Sequence, residues 1–386
     1  MSIANDLGYY EITDKPGLRF ENKIQALQSC NDISQIKWVF QDKQFASINW
    51  ENEPKEDLYE LYRQRAMSLR LKYDRLILYY SGGIDSTCVL HSFIDNNIPL
   101  DGIVSYGAFD IKSYESYNRN QEIFRVAQPY IHHLEKTRGI KLPYHLLDDW
   151  YLFEQSFKDE SWILNTNSAS VSPETFIWTK HRQDPYFQQH LMAGTTAVIR
   201  GVDKPRVLCE DGTWKVSFLD SNANGLFGSE CSTDDPNSLY YEYFYWSGDN
   251  PKVICKQGHM IKQYFQKINR PDIVNTLFSR ESDKFVSSEY FKWIDPIIYE
   301  RYLTNKPRDD RNYFSLGKTP LVNAWHKDDV FFEHASKSAR DVWNAGIDHA
   351  INTIDTSFFN SAEPTLQSFI KTGLRGIWSR DYNLGS

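Results

Sequence analysis

The sequence predicts an α/β protein: a parallel sheet flanked by helices, with a small N-terminal cap and a mainly helical C-terminal region. Three observations predict it. Residues 75–94 open with the apolar run Leu76-Ile77-Leu78-Tyr79-Tyr80, pass through Ser81-Gly82-Gly83-Ile84-Asp85-Ser86, and continue with Val89, Leu90, Phe93 and Ile94 at helical spacing. A continuous apolar run fits a strand buried on both faces, as in a parallel sheet. Comparable runs recur at residues 102–106, 142–147 and 195–199, and a helical pattern precedes or follows them. Residues 240–386 read mainly as helices, near 257–268, 271–279, 283–303, 330–349 and 364–373.

The chain divides on this reading into a cap (residues 1–52), a core (53–220) and a C-terminal region (221–386). The cap holds Tyr9, Tyr10, Phe20, Trp38, Phe40, Phe45 and Trp50, too apolar for a disordered tail. Residues 23–30 fit a short helix, and residues 35–40 alternate like a strand with Ile36, Trp38 and Phe40 on one face. Asn52-Glu53-Pro54 starts a helix whose apolar stripe is Leu58, Leu61, Tyr62, Ala66 and Leu69. Its Arg63, Arg65, Arg70 and Lys72 read as a solvated face, with contact to a phosphate as the alternative.

The loop at residues 81–86 carries the chemistry. Gly82 and Gly83 have no Cβ, so a polyanion can approach their amides closely. The helix that follows adds further N–H donors and the positive end of its dipole. Ser81 and Ser86 add hydroxyls. Asp85 would repel a bare phosphate, which implies a bridging Mg²⁺. Neither GxxxxGK[ST] nor GxGxxG occurs, so the chain is no Walker-type kinase or GTPase and carries no dinucleotide fingerprint.

Ser81-Gly82-Gly83-Ile84-Asp85-Ser86 resembles the SGGxDS signature of the PP-loop superfamily, the N-type ATP pyrophosphatases of HUP-like, adenine nucleotide alpha-hydrolase-like fold. That family includes GMP, asparagine and argininosuccinate synthetases and several tRNA-modifying enzymes. The words around the loop, LYRQRAMSLRLKYDRLILYYSGGIDS, resemble asparagine-synthetase-like proteins of bacteriophages. The specific match spans residues 58–110, and a looser one reaches 205. The resemblance implies that ATP and Mg²⁺ are bound, that Ser81, Gly82, Gly83, Ile84, Asp85 and Ser86 hold the phosphates, and that Val104, Ser105 and Gly107 offer backbone groups to the base. It implies a second metal-binding acid and a phosphate-facing lysine after a later strand. Asp203 and Lys204 are the candidates, Asp203 beside Asp85 as metal ligand, Lys204 with Asp85 as catalytic residue. The implied reaction adenylates a second substrate, releases pyrophosphate, and lets an amine or ammonia displace AMP. Alternatives are a thiolation-type nucleobase or tRNA-modifying enzyme and a non-catalytic nucleotide-binding interaction protein. Glutamine-hydrolysing relatives begin with a catalytic cysteine. This sequence begins Met1-Ser2-Ile3, so no such glutaminase unit is expected.

After the loop helix, residues 115–138 read as one long helix. Asp148 and Asp149 follow the third strand as a solvated turn, with a metal-ligand or general-base role as the alternative. Residues 150–195 are aromatic and polar, and suit helices forming a lid. His181 and His190 there are acid–base candidates, against the blander reading as structural histidines. Glu210-Asp211-Gly212-Thr213 between alternating runs signals a hairpin. The cluster Tyr240-Tyr241-Glu242-Tyr243-Phe244-Tyr245-Trp246 reads as core or interface, with a substrate pocket as the alternative. Residues 222–237 and 305–317 read as loops.

A net charge of −8 argues against binding nucleic acid by bulk electrostatics. Five cysteines, none in a CxxC pair, fit reduced thiols and a cytoplasmic protein. The N-terminus reads as no signal peptide, and no apolar run is long enough to span a membrane. The expected partners are ATP and an acceptor whose identity the sequence leaves open, as it does a homo-oligomer.

Overall fold

Alternating apolar runs and helical segments of the sequence resolve, in a computed structural model, into three sheets among the described residues and the helices that cover them. The structure describes residues 8–20, 23–30, 32–107, 123–149, 151–152, 155, 180–201, 204–220, 239–277, 287–299 and 376–386. The expected helices at 330–349 and 364–373, the loops at 222–237 and 305–317, and most of the expected lid lie outside the described residues.

Strands β1 (Tyr9–Ile12), β2 (Arg19–Phe20) and β3 (Ile36–Val39) form an antiparallel sheet in the order β2-β1-β3, with helix α1 (Lys23–Gln28) between β2 and β3 in sequence. After α2 (Asp42–Phe45), helix α3 (Leu58–Lys72) starts where the Asp57 carboxylate accepts the Glu60 N–H at 2.7 Å. Its stripe of Leu58, Leu61, Tyr62, Ala66 and Leu69 is buried as expected.

Next come β4 (Arg75–Tyr79), α4 (Ile84–Ile94), β5 (Gly102–Gly107), α5 (Gln128–Arg138), β6 (Tyr144–Asp148), α6 (Pro185–Leu191) and β7 (Thr196–Arg200). The antiparallel pair β8 (Arg206–Glu210) and β9 (Thr213–Ser217) follows, then β10 (Leu239–Tyr243), α7 (Lys252–Lys267), α8 (Pro271–Leu277), α9 (Ser287–Ile298) and β11 (Tyr382–Gly385). Five strands pair in parallel in the order β10-β7-β4-β5-β6. The chain builds outward from β4 to β6, then returns to lay β7 on the other side of β4. Successive strand residues face opposite sides of a sheet. The Tyr80 hydroxyl meets Thr87 of α4 on one face, and the Tyr79 ring meets Phe187 of α6 on the other. Helices therefore flank both faces, and the strand order reverses between β4 and β7.

The expected hairpin joins β8 to β9, with Asp211 and Gly212 both at positive φ (49° and 76°), as a two-residue turn of matching twist requires. Strand β11 pairs antiparallel with β9 and completes a sheet in the order β11-β9-β8.

Three expectations are corrected. The described part of the 115–138 helix is not uniform: a π turn at Ile123–Ala127 leads into α5, where Pro129 lies in the first turn. Beyond residue 220, β10 joins the parallel sheet and β11 joins the hairpin. Arg65 lies on no solvated face. Its side chain is fully buried, and its guanidinium bonds Glu242 at 2.8 Å and the Tyr243 carbonyl at 2.9 Å. Glu242 also accepts from Lys72 at 2.8 Å and from the Tyr73 hydroxyl at 2.5 Å, so α3 and β10 are joined by a shared carboxylate. Asp149, finally, is buried rather than solvated, whereas Asp148 is exposed.

One apolar core runs through these layers. Phe40 and Phe45 from the N-terminal segment pack on Phe218 beyond β9, Phe40 also meets Trp246, and Tyr382 of β11 stacks on Trp50. No described helix is long and apolar enough to cross a membrane.

Candidate functional site

The turn from β4 into α4 is shaped by one glycine more than the other. Gly82 has φ +79°, and a Cβ there would stand 2.9 Å from the Ala127 backbone nitrogen at the end of the π turn. Gly83, the N-cap of α4, has φ −69°, and its Cβ would meet only the Ser81 Oγ at 3.4 Å. Gly82→Ala is expected to destabilise the protein by about 1–3 kcal/mol, the scale of a residue held in a sparsely populated backbone region. Gly83→Ala should be nearly silent in the same thermal melt. Equal effects at both positions would contradict this account.

The loop is braced from within. The Ser81 hydroxyl accepts the Gly83 N–H at 3.3 Å and lies 3.2 Å from the Ser86 hydroxyl, which donates to the Gly83 carbonyl at 3.2 Å. The first intrahelical bond of α4 runs from the Thr87 N–H to the Gly83 carbonyl. First-turn amides of a helix have no carbonyl partner inside it and point toward its amino end. With the helix dipole, they favour an anion in front of the loop.

Lys204, 119 residues further on and just beyond β7, reaches this loop. Its ammonium lies 2.7 Å from Oδ1 and 2.8 Å from Oδ2 of Asp85. Gly201, after β7, makes the approach feasible, since a Cβ there would come within 3.0 Å of the Asp85 carbonyl carbon and the Ser86 nitrogen. Tyr245, from the cluster whose alternative reading was a substrate pocket, joins them, as do two residues that sequence reasoning missed, Tyr299 and Asp295. The Tyr299 hydroxyl donates to Asp85 Oδ1 at 2.6 Å, the Tyr245 hydroxyl donates to the Asp85 carbonyl at 2.9 Å, and Asp295 Oδ1 is 3.4 Å from the Lys204 ammonium. Burial, and then the neighbouring Asp85 carboxylate, push the Tyr299 hydroxyl well above the usual phenol range, so it stays a donor. The spacing of Asp295 and Tyr299, one helical turn, was the only local signal that they share a face.

Asp85 and Lys204 are thus brought together where the strand order reverses, at the carboxyl ends of β4 and β7. Open α/β sheets bind ligands in that crevice. Asp203 lies outside the described residues. Val104, Ser105 and Gly107 form a buried strand end: Val104 O accepts from Tyr80 N, Gly107 O accepts from Asp149 N, and the Ser105 hydroxyl turns in to Tyr80 O.

The two histidine candidates part company. His181 is buried, with Nε2 3.1 Å from both Asp149 oxygens and Nδ1 2.5 Å from the Tyr79 hydroxyl. With its proton on Nε2, the imidazole donates to Asp149 and accepts from Tyr79. Burial pushes the Asp149 carboxyl up, and His181 opposes that shift. His190 lies at the amino-terminal ends of the strands, beside a cavity of about 450 Å³ that also touches Arg75 and Asp101. It is remote from the loop along the strand direction. The 240–246 cluster is core, and Tyr245 alone of it has a described bond to the loop. Cys30, Cys88, Cys209 and Cys255 form no disulfide.

Among the described residues no three His, Cys, Asp or Glu side chains converge as a ready-made metal cage. Two carboxylates, Asp85 and Asp295, lie within 3.4 Å of the Lys204 ammonium; Mg²⁺ sites generally take one or two carboxylates and complete their shell with water and substrate phosphates. No protein-family model matches the chain, and no curated protein matches it.

Proposed function

We propose that the chain is an ATP-dependent ligase of PP-loop type, which adenylates a second substrate before an amine or ammonia attacks it, in the manner of asparagine synthetase. The observation that carries this reading is the Lys204 ammonium on Asp85, at the mouth of a glycine loop that opens a helix.

On this reading the loop amides and the Ser81 and Ser86 hydroxyls grip the two outer phosphates and leave the α-phosphorus open to attack. Asp85 would hold Mg²⁺, which when bound neutralises phosphate charge. Lys204 faces the pyrophosphate, where negative charge grows as the bond to the α-phosphorus breaks, and a preorganised cation there lowers the barrier. The remaining acceleration comes from holding the acceptor oxygen in line.

The products test this directly. With Mg²⁺ and a competent acceptor, ATP should yield AMP and pyrophosphate on anion-exchange chromatography. ADP and inorganic phosphate as the main products would rule the mechanism out. Assaying candidate acceptors in parallel separates an enzyme from a nucleotide-binding module.

A further inference from the structure

Lys204 is shared between two carboxylates. Its side chain is 5% exposed, and besides Asp85 its ammonium faces Asp295 at 3.4 Å. Asp295 and Tyr299 bracket Pro296 near the end of α9, and the Tyr299 N–H bonds the Asp295 carbonyl at 2.9 Å. One helical turn is therefore seated on the loop by two contacts, a carboxylate on the lysine and a hydroxyl on Asp85. If Lys204 is to serve a phosphate, that phosphate must compete with Asp295 for the ammonium.

We propose that Asp295 is a specificity-determining residue of this site: an internal anion that occupies Lys204 and discriminates against polyphosphate arriving without a divalent cation. The inference rests on reading residues 81–86 as a phosphate site. Its logic is electrostatic. A free polyphosphate approaching Lys204 displaces one carboxylate and is repelled by it. The same polyphosphate carrying a divalent cation presents positive charge, which Asp85 and Asp295 attract. Asparagine at position 295 keeps the size and an acceptor for Lys204 but removes the charge, so the penalty on the uncomplexed ligand falls.

The test is equilibrium calorimetry with ATP and with inorganic pyrophosphate, each in Mg²⁺ and in EDTA. Wild type should bind both more tightly in Mg²⁺. Asp295→Asn should tighten binding in EDTA at least about fivefold, the effect of one unit charge at ~4 Å even under the screening of bulk water. Asp295→Glu, which keeps the charge, should leave affinity in EDTA low, and thermal melts of both variants check the fold. An Asp295→Asn protein whose affinity in EDTA is unchanged or weaker, beside a wild type that binds ATP in Mg²⁺, overturns the inference. A wild type that binds neither ligand in Mg²⁺ removes the phosphate-site reading itself, and this inference with it.

Discussion

Lys204→Ala is expected to slow AMP formation about a hundredfold or more, the scale on which one preorganised charge-stabilising donor contributes. Affinity for ATP should fall much less, because a group facing the leaving pyrophosphate acts mainly once the bond is breaking. The side chain is almost wholly enclosed by Asp85, Asp295 and the Tyr299 ring, whose centroid is 5.7 Å from the ammonium. It therefore holds a defined position before any ligand enters. Single-turnover rates at saturating ATP, compared with binding isotherms, separate the two effects. A rate within a few-fold of wild type would show that Lys204 serves only to hold Asp85.

Glu242→Ala is expected to remove about 3–5 kcal/mol of stability, the range for deleting one partner of a buried ion pair. The substitution removes the nearest carboxylate from Arg65, whose side chain has no exposure and which keeps Asp249 only at 3.7 Å, and it removes an acceptor from Lys72 and Tyr73. Burial alone would push the Glu242 carboxyl up, but Arg65 and Lys72, with the hydrogen bonds from Lys72 and Tyr73, hold it below its ordinary value of 4.5. A carboxyl depressed in the folded state binds protons more readily when unfolded. Its contribution is thus fully present above the unfolded value and is lost as pH falls through the folded one. Thermal melts from pH 7 downward should show the gap between wild type and variant narrowing below about pH 4.5. A gap that widens in acid would reverse the assignment.

What the sequence made legible was local. A buried strand, two glycines and an amphipathic helix are written in adjacent residues, so β4, the loop and α4 could be placed without knowing their neighbours. The Asp211-Gly212 turn was legible for the same reason. The 195–199 run marked β7, and with it the end of the strand after which Lys204 would stand. Apart from Lys204 beside Asp85, which only the family resemblance implied, contacts between distant segments were not legible. Nothing near Asp295 or Tyr299 says that their partners lie on α4 and after β7. Arg65 looks like any basic residue on a helix until β10 delivers Glu242. Asp149 looks like a turn residue until His181 arrives to bond it. Polarity pattern reports exposure well for residues that stand alone, and poorly for charges that are buried in pairs.

The pairing of β11 with β9 has a consequence for how the chain is made. Vectorial synthesis delivers Phe45 and Trp50 early, yet the Tyr382 ring that covers them belongs to a segment about 330 residues downstream. Until residues 376–386 emerge, Trp50 lacks the Tyr382 ring that stacks on it, and β9 lacks its β11 partner on one edge. Both are features that recruit chaperones and invite misassembly. Closure of this sheet is then a late, long-range step, and such steps make folding slow.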